Sequence, residues 1–294
     1  MTERFSLKGW LHLIGGGLGL IGVIFVAVRL YAHVRQINLA RFDLVVWLIL
    51  ALLTCAYGAG NLFLARAWWH LLHFFNIKTS WPWAIKVYGR SQLAKYIPGN
   101  IFHLAGRQAL GMAAGLPSRP LVKSALWELG LLACAGFTFC IPALPLLWSN
   151  FALWISIALF MVLLLMLGAE AYRRFAPDVV YALTWQITFL IMSGVVFSAV
   201  LAVIVTDSNE LPPMSVLCSA YVLAWLAGFI TPGTPAGLGV REMALYFLIG
   251  HYVSHPDLLL AITLGRIITI VGDLLFFVFG SLNVRDIHGT DLIV

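Results

Sequence analysis

The sequence predicts an all-α polytopic membrane protein: six transmembrane helices and two re-entrant helical hairpins broken at Pro-Gly pairs, arranged as two inverted repeats. Three observations carry this fold class. Of 294 residues, 62% are hydrophobic and 10% charged, where a soluble domain carries about a quarter charged residues. Runs free of charge extend from Leu44 to Ala65, Leu129 to Ala169, Val179 to Thr206 and Leu211 to Val240, each reaching or exceeding the roughly 20 residues that cross a hydrocarbon core. Two Pro-Gly motifs, each followed by an arginine, recur at a constant offset of 134 residues: Pro98 and Pro232, Gly99 and Gly233, Arg107 and Arg241.

Taken in order, hydropathy read against Pro, Gly and charge places spans at 10–30, 44–66, 121–144, 147–168, 180–206 and 257–282. The first is preceded by Arg4 and Lys8, as a signal peptide would be. It lacks a small-x-small cleavage pattern and reads as a span, with Gly15, Gly16, Gly17, Gly19 and Gly22 allowing close helix packing. The remaining apolar regions, 83–114 and 213–250, are each interrupted at Pro-Gly and read as two half-length helices about a turn. Such a break is tolerated at membrane depth only where it is packed in protein or lines a cavity. Trp68, Trp69, Trp81 and Trp83 read as an interfacial belt.

The 134-residue offset divides the chain into repeats 1–144 and 145–294, each of two spans, a hairpin and a third span. An odd number of spans per unit sends the second unit into the membrane from the opposite side. Inverted repeats meeting at discontinuous helices suit alternating access. Arg4, Lys8, Arg66, Lys78, Lys86, Arg90, Arg119, Lys123, Arg173, Arg174 and Arg285 fall on the side of the N-terminus, against Arg29, Arg35 and Arg41 on the other. The positive-inside rule then makes both termini cytoplasmic in a bacterial inner membrane.

Several function classes are excluded. The formal charge of +6 is scattered through short loops, as topology requires, and does not form a nucleic-acid patch. Cys55, Cys134, Cys140 and Cys218 lie in apolar stretches without paired spacing and read as small hydrophobes. No Gly-rich nucleotide motif, nucleophile elbow or zinc signature is present, so no cofactor, metal or catalytic residue is assigned.

The residues that could carry chemistry cluster at the hairpins. After the breaks, Asn100 and Thr234, the latter followed by Pro235, are suited to cap new helices whose free N–H groups would face an anion. Arg107 and Arg241 lie seven residues beyond, about two turns along, and are expected to grip a phosphate in a wet cavity. Lys95 precedes the first turn where the second hairpin has Gly228. Lys95, Pro98, Gly99, Asn100, His103, Arg107, Pro232, Gly233, Thr234 and Arg241 make up the expected binding site. Glu128, Arg266 and Asp273, buried charges in the third spans, form an expected gating network in which Glu128 pairs with Arg266. Glu242 belongs to the same expected network and is expected to partner its neighbour Arg241.

At these motifs the chain resembles the flippase-like transmembrane family typified by the N-terminal domain of lysylphosphatidylglycerol synthases. The likeness rests on Lys95-Tyr96-Ile97-Pro98-Gly99 with Gly106-Arg107, on Glu128, on Thr231 through Glu242, and on Arg266, and it spans nearly the whole chain. In that family the domain is associated with translocating the aminoacylated lipid that a soluble domain makes. For this chain the resemblance implies translocation without synthesis. The expected activity is movement of a phosphate-bearing lipid head group, on a polyprenyl-phosphate-linked sugar or a modified phosphoglycerolipid. Its expected partners are an anionic membrane lipid and a lipid synthase or glycosyltransferase. The alternatives are an accessory subunit of such an enzyme, or a membrane-embedded lipid-modifying enzyme.

Overall fold

The computed structural model describes residues 42–97, 101–148, 150–205, 211–231, 237 and 239–282. The span at 10–30 and the turn residues Pro98, Gly99, Asn100, Pro232, Gly233, Thr234 and Pro235 lie outside them. The described chain is helical throughout: α1 Leu44–Phe74, α2 Trp81–Gln92 running into a 3-10 turn Leu93–Tyr96, α3 Phe102–Ala113, α4 Ser118–Thr138, the single turn α5 Leu144–Leu147, α6 Leu153–Arg174, α7 Pro177–Ile204, α8 Met214–Ile230, α9 Val240–Ile249 and α10 His255–Leu282.

Five of these, α1, α4, α6, α7 and α10, are long and apolar enough to cross a bilayer. The protein is a multi-pass membrane protein. Their boundaries follow local chemistry. Asp43 caps α1 by accepting from Val46 N at 2.9 Å, and Ser80 caps α2 ahead of Pro82. Helix α1 runs past Arg66, where the sequence reading stopped it. Arg66 does not end the helix because its guanidinium lies over the rings of Trp69 and Trp81, 4.3 and 5.0 Å from their centroids.

The two regions expected to break do so. Helix α2 and its 3-10 extension stop before residue 97 and α3 resumes at Phe102; α8 stops at Ile230 and α9 starts at Val240. Moving the first-half helix starts Leu44, Trp81 and Ser118 along by the same 134 residues gives 178, 215 and 252, and helices begin at Pro177, Met214 and His255.

Helices α1 and α7 pack together at the centre, flanked by α10 on α1 and α4 on α7. Packing of α1 on α10 is backbone to backbone: a Cβ on Gly272 would meet Gly58 N at 3.0 Å and Thr54 O at 3.1 Å. Glycine is therefore required for helices that close. The largest cluster of buried side chains runs through this centre. It includes Trp68 and Trp83, stacked with centroids 5.9 Å apart. These two are core residues, not members of an interfacial belt, because α1 turns that face onto α2. Helix α6 lies at the edge with most of its surface apolar and outward, as lipid contact requires. All four cysteines are free.

Candidate functional site

Between the halves lies a cavity of about 100 Å³, where by the same measure roughly 10–15 Å³ admits one water. Every described helix longer than α5 except α6 contributes to its wall. Its polar lining is dominated by Lys95 from the first hairpin, Glu128 from α4, Arg241 from α9, and Arg266 and Asp273 from α10. Aromatic rings, among them Tyr57, Trp225 and Phe229, complete it.

Asp273 is fully buried, and its partners among the described residues belong to the first half. Lys95 Nζ approaches its Oδ2 at 2.7 Å, Tyr96 donates at 2.6 Å, and Asn61 and Gln92 donate to Oδ1 at 3.1 and 3.4 Å. Gln92 also donates to Asn61 at 2.7 Å, fixing that amide. An ionised carboxylate this deep needs such a set, since burying it alone costs several kcal/mol. The socket exists because the 3-10 turn at the end of α2 tightens the chain, bringing Gln92, Lys95 and Tyr96 onto one side.

Glu128 is held differently. Arg107 Nη1 lies 2.5 Å from its Oε2, and Tyr88 donates to Oε1 at 2.9 Å. Arg107 has no exposed surface, and its guanidinium stacks 3.8 Å from the centre of the Tyr88 ring. The expectation that Arg107 lines a wet cavity is thus corrected: Glu128 faces the space and Arg107 stands behind it. His103 reaches the cavity wall with Nδ1 buried and no partner among the described residues.

The second hairpin reverses the arrangement. Helix α9 begins at Val240, so Arg241 sits in its first turn, not two turns along. The late start follows from Gly237 and Gly239, whose φ of +71° and +85° cannot continue a helix. Glu242 Oε2 accepts from Gly239 N at 2.7 Å, and its Oε1 accepts from Arg266 Nε at 2.7 Å. Arg266 Nη2 also donates to Gly237 O at 3.2 Å. Glu242 therefore partners Arg266, not Arg241, and Glu128 partners Arg107, not Arg266. In both cases an arginine and a carboxylate of the same half pair, one from the hairpin's second helix and one from its third span.

Arg241 is left over. It is 7% exposed, its guanidinium lies 4.3 Å from the centre of the Tyr221 ring, and among the described residues no carboxylate or carbonyl engages it. An arginine buried over an aromatic face with open donors is prepared to receive an anion.

Asn61, Gln92, Tyr88 and Tyr96 escaped the sequence reading. Asn61 is a polar side chain inside the charge-free run from Leu44, a signal that was there to be read; the tyrosines gave none, since at hairpin ends they pass for interfacial residues. His70 and Asp178, 3.0 Å apart, join the end of α1 to the start of α7 and also went unforeseen. Among the described residues no group of three metal-ligating side chains converges. Compared with models of protein families, with curated proteins and with solved structures, the chain matches none.

Proposed function

We propose that this protein is a lipid translocator whose two halves form inverted repeats in a bacterial inner membrane, both termini cytoplasmic, and that it carries the phosphate-bearing head group of a lipid through the central cavity. The observation that carries this reading is Arg241: a buried cation without an anion among the described residues, in a cavity walled by both halves and shared with Lys95. An unpaired charge inside a membrane protein is costly and marks a ligand path. Only the head group needs that path, because acyl or prenyl tails remain in the bilayer.

The repeat reading is supported by helix starts that keep the 134-residue offset, and by packing in which α1 on α10 is mirrored by α7 on α4. The hairpins are read as re-entrant, approaching from opposite faces. Membership of the flippase-like family, suggested by the motifs at Lys95 and Arg241, points the same way. Arg241 is assigned to the head group; Lys95 borders the same cavity in its pair with Asp273, and Arg107 and Glu128 are assigned to support.

The test is transport of head-group-labelled phosphatidylglycerol and polyprenyl-phosphate sugars in proteoliposomes. A charge-assisted contact is worth about 1.5–3 kcal/mol, so Arg241→Ala should slow transport about ten- to a hundredfold. Wild-type rates from that variant, with a lipid that the native protein demonstrably moves, sink the proposal.

A further inference from the structure

Among the described residues the charges around the cavity do not balance. Lys95, Arg107, Arg241 and Arg266 are set against Glu128, Glu242 and Asp273. Each carboxylate is matched: Asp273 by Lys95, Glu128 by Arg107, Glu242 by Arg266. Among the described residues one cation remains, Arg241. The turn residues at 98–100, at 232–236 and at 238 carry no charge, so the two hairpin turns do not alter the count.

We infer that the cavity selects lipids whose head group carries one negative charge, a phosphodiester, over those carrying a diphosphate or a phosphomonoester dianion. The inference rests on the translocator reading and narrows it. A single phosphodiester on Arg241 brings the enclosed charge to zero with the three existing pairs intact. A second negative charge has no free cation among the described residues of the wall. It must either sit in the cavity without a counter-charge or take Lys95 from Asp273. The latter choice leaves a fully buried carboxylate with only neutral donors from Tyr96, Asn61 and Gln92. Either course costs the desolvation of an uncompensated ion.

Asp273 is therefore the specificity element opposite Arg241. It occupies Lys95, the most exposed of the cavity's paired cations, whose side chain is 20% accessible. By holding that cation it denies it to a ligand. The rest of the wall agrees with a head group larger than phosphate. Trp225 and Phe229 are stacked with centroids 4.9 Å apart and both line the space, a surface on which a sugar or glycerol face can lie.

The experiment measures binding of matched lipid pairs to the full chain in mild detergent, by native mass spectrometry and by competition against a fluorescent lipid. One pair is a polyprenyl-phosphate hexose and the corresponding polyprenyl-diphosphate hexose. The other is phosphatidylglycerol and phosphatidylglycerol phosphate. Tails and polar groups are held constant within each pair, and the pairs separate a prenyl from a glycerolipid source. The expected result is at least about tenfold tighter binding of the monoanion in the pair the protein accepts, equivalent to ~1.4 kcal/mol. Asp273→Asn keeps the side-chain shape and frees Lys95, so it should shrink or invert that preference. Arg241→Gln should remove binding of the monoanion. Equal or tighter binding of the more highly charged member by the native protein overturns the charge rule while leaving translocation in place. Binding of neither member of either pair overturns both. Because the decisive comparison uses the native protein, it stands even where Asp273→Asn folds poorly.

Discussion

The two hairpins carry the same Pro-Gly-arginine motif and use it in opposite ways. In the first, Arg107 is sealed against Glu128 and Tyr88, while Lys95 crosses to Asp273 in the other half. In the second, the arginine at the equivalent position is open, and the place of Lys95 is taken by Gly228. There the arms touch: a Cβ on Gly228 would lie 2.9 Å from Gly237 Cα. A lysine cannot be accommodated where two backbones meet. A single sequence motif thus yields one structural anchor and one ligand cation, and the third spans decide which. Helix α4 supplies a carboxylate to its hairpin's arginine; α10 supplies an arginine that takes the hairpin's own carboxylate, Glu242.

The sharpest way to break this contrast is to remove the anion that seals the first arginine. Glu128→Leu leaves Arg107 fully buried without a counter-charge, and breaking such a pair costs about 3–5 kcal/mol. A large fall in melting temperature and in folded yield is expected from scanning fluorimetry in detergent. Replacing both members, Arg107→Met with Glu128→Leu, should recover most of that loss, because an apolar pair of similar volume has no charge to desolvate. A double variant as unstable as the single one would show that Arg107 serves more than the pair.

A smaller effect is expected from closing off the glycine contact in the second hairpin. Gly228→Ala forces backbone to shift at Gly237, whose φ of +71° already restricts it. Overpacking of this kind costs about 1–3 kcal/mol. Arg266 holds Gly237 O and Glu242, so the shift should reach Arg241 and weaken head-group binding as well. Unchanged melting and unchanged binding together would mean that the arms do not need to touch.

How much of this was legible in the sequence depends on which force acts at each residue. Five of the six expected spans, and the breaks between Tyr96 and Phe102 and between Ile230 and Val240, follow from hydropathy and from Pro and Gly, which act locally. Pairing was less legible. The buried charges Glu128, Arg266 and Asp273 stand out in the sequence, but their partners depend on which faces meet: the expected Glu128–Arg266 pair gives way to Glu128–Arg107 and Glu242–Arg266, and Asp273, for which no single partner was expected, takes Lys95. The 3-10 turn at Leu93–Tyr96 rotates Lys95 toward Asp273, a tertiary choice that no local pattern announces. Gly237 and Gly239 delay α9 past the start expected at Thr234, and this moved Arg241 into the first turn. Two glycines at positive φ were visible as residues but not as conformations.

The least costly substitution for stability should be the one most damaging to function. Arg241 and Arg107 occupy equivalent positions, yet Arg241→Met removes no ion pair, only the interaction with the Tyr221 ring at 4.3 Å, worth about 0.5–2 kcal/mol. Against this stands the relief of a buried cation that lacks a counter-charge, so the net change in melting temperature should be near zero and of either sign. Arg107→Met, by contrast, orphans Glu128 and should melt far lower, by about the same 3–5 kcal/mol as its partner's removal. Measured side by side, the two variants separate an arginine kept for folding from one kept for a ligand. If Arg241→Met is as destabilising as Arg107→Met, Arg241 already has its anion within the folded chain, and the asymmetry between the hairpins disappears. If it melts like the native protein but no longer binds anionic lipid, its buried charge is retained for the ligand alone.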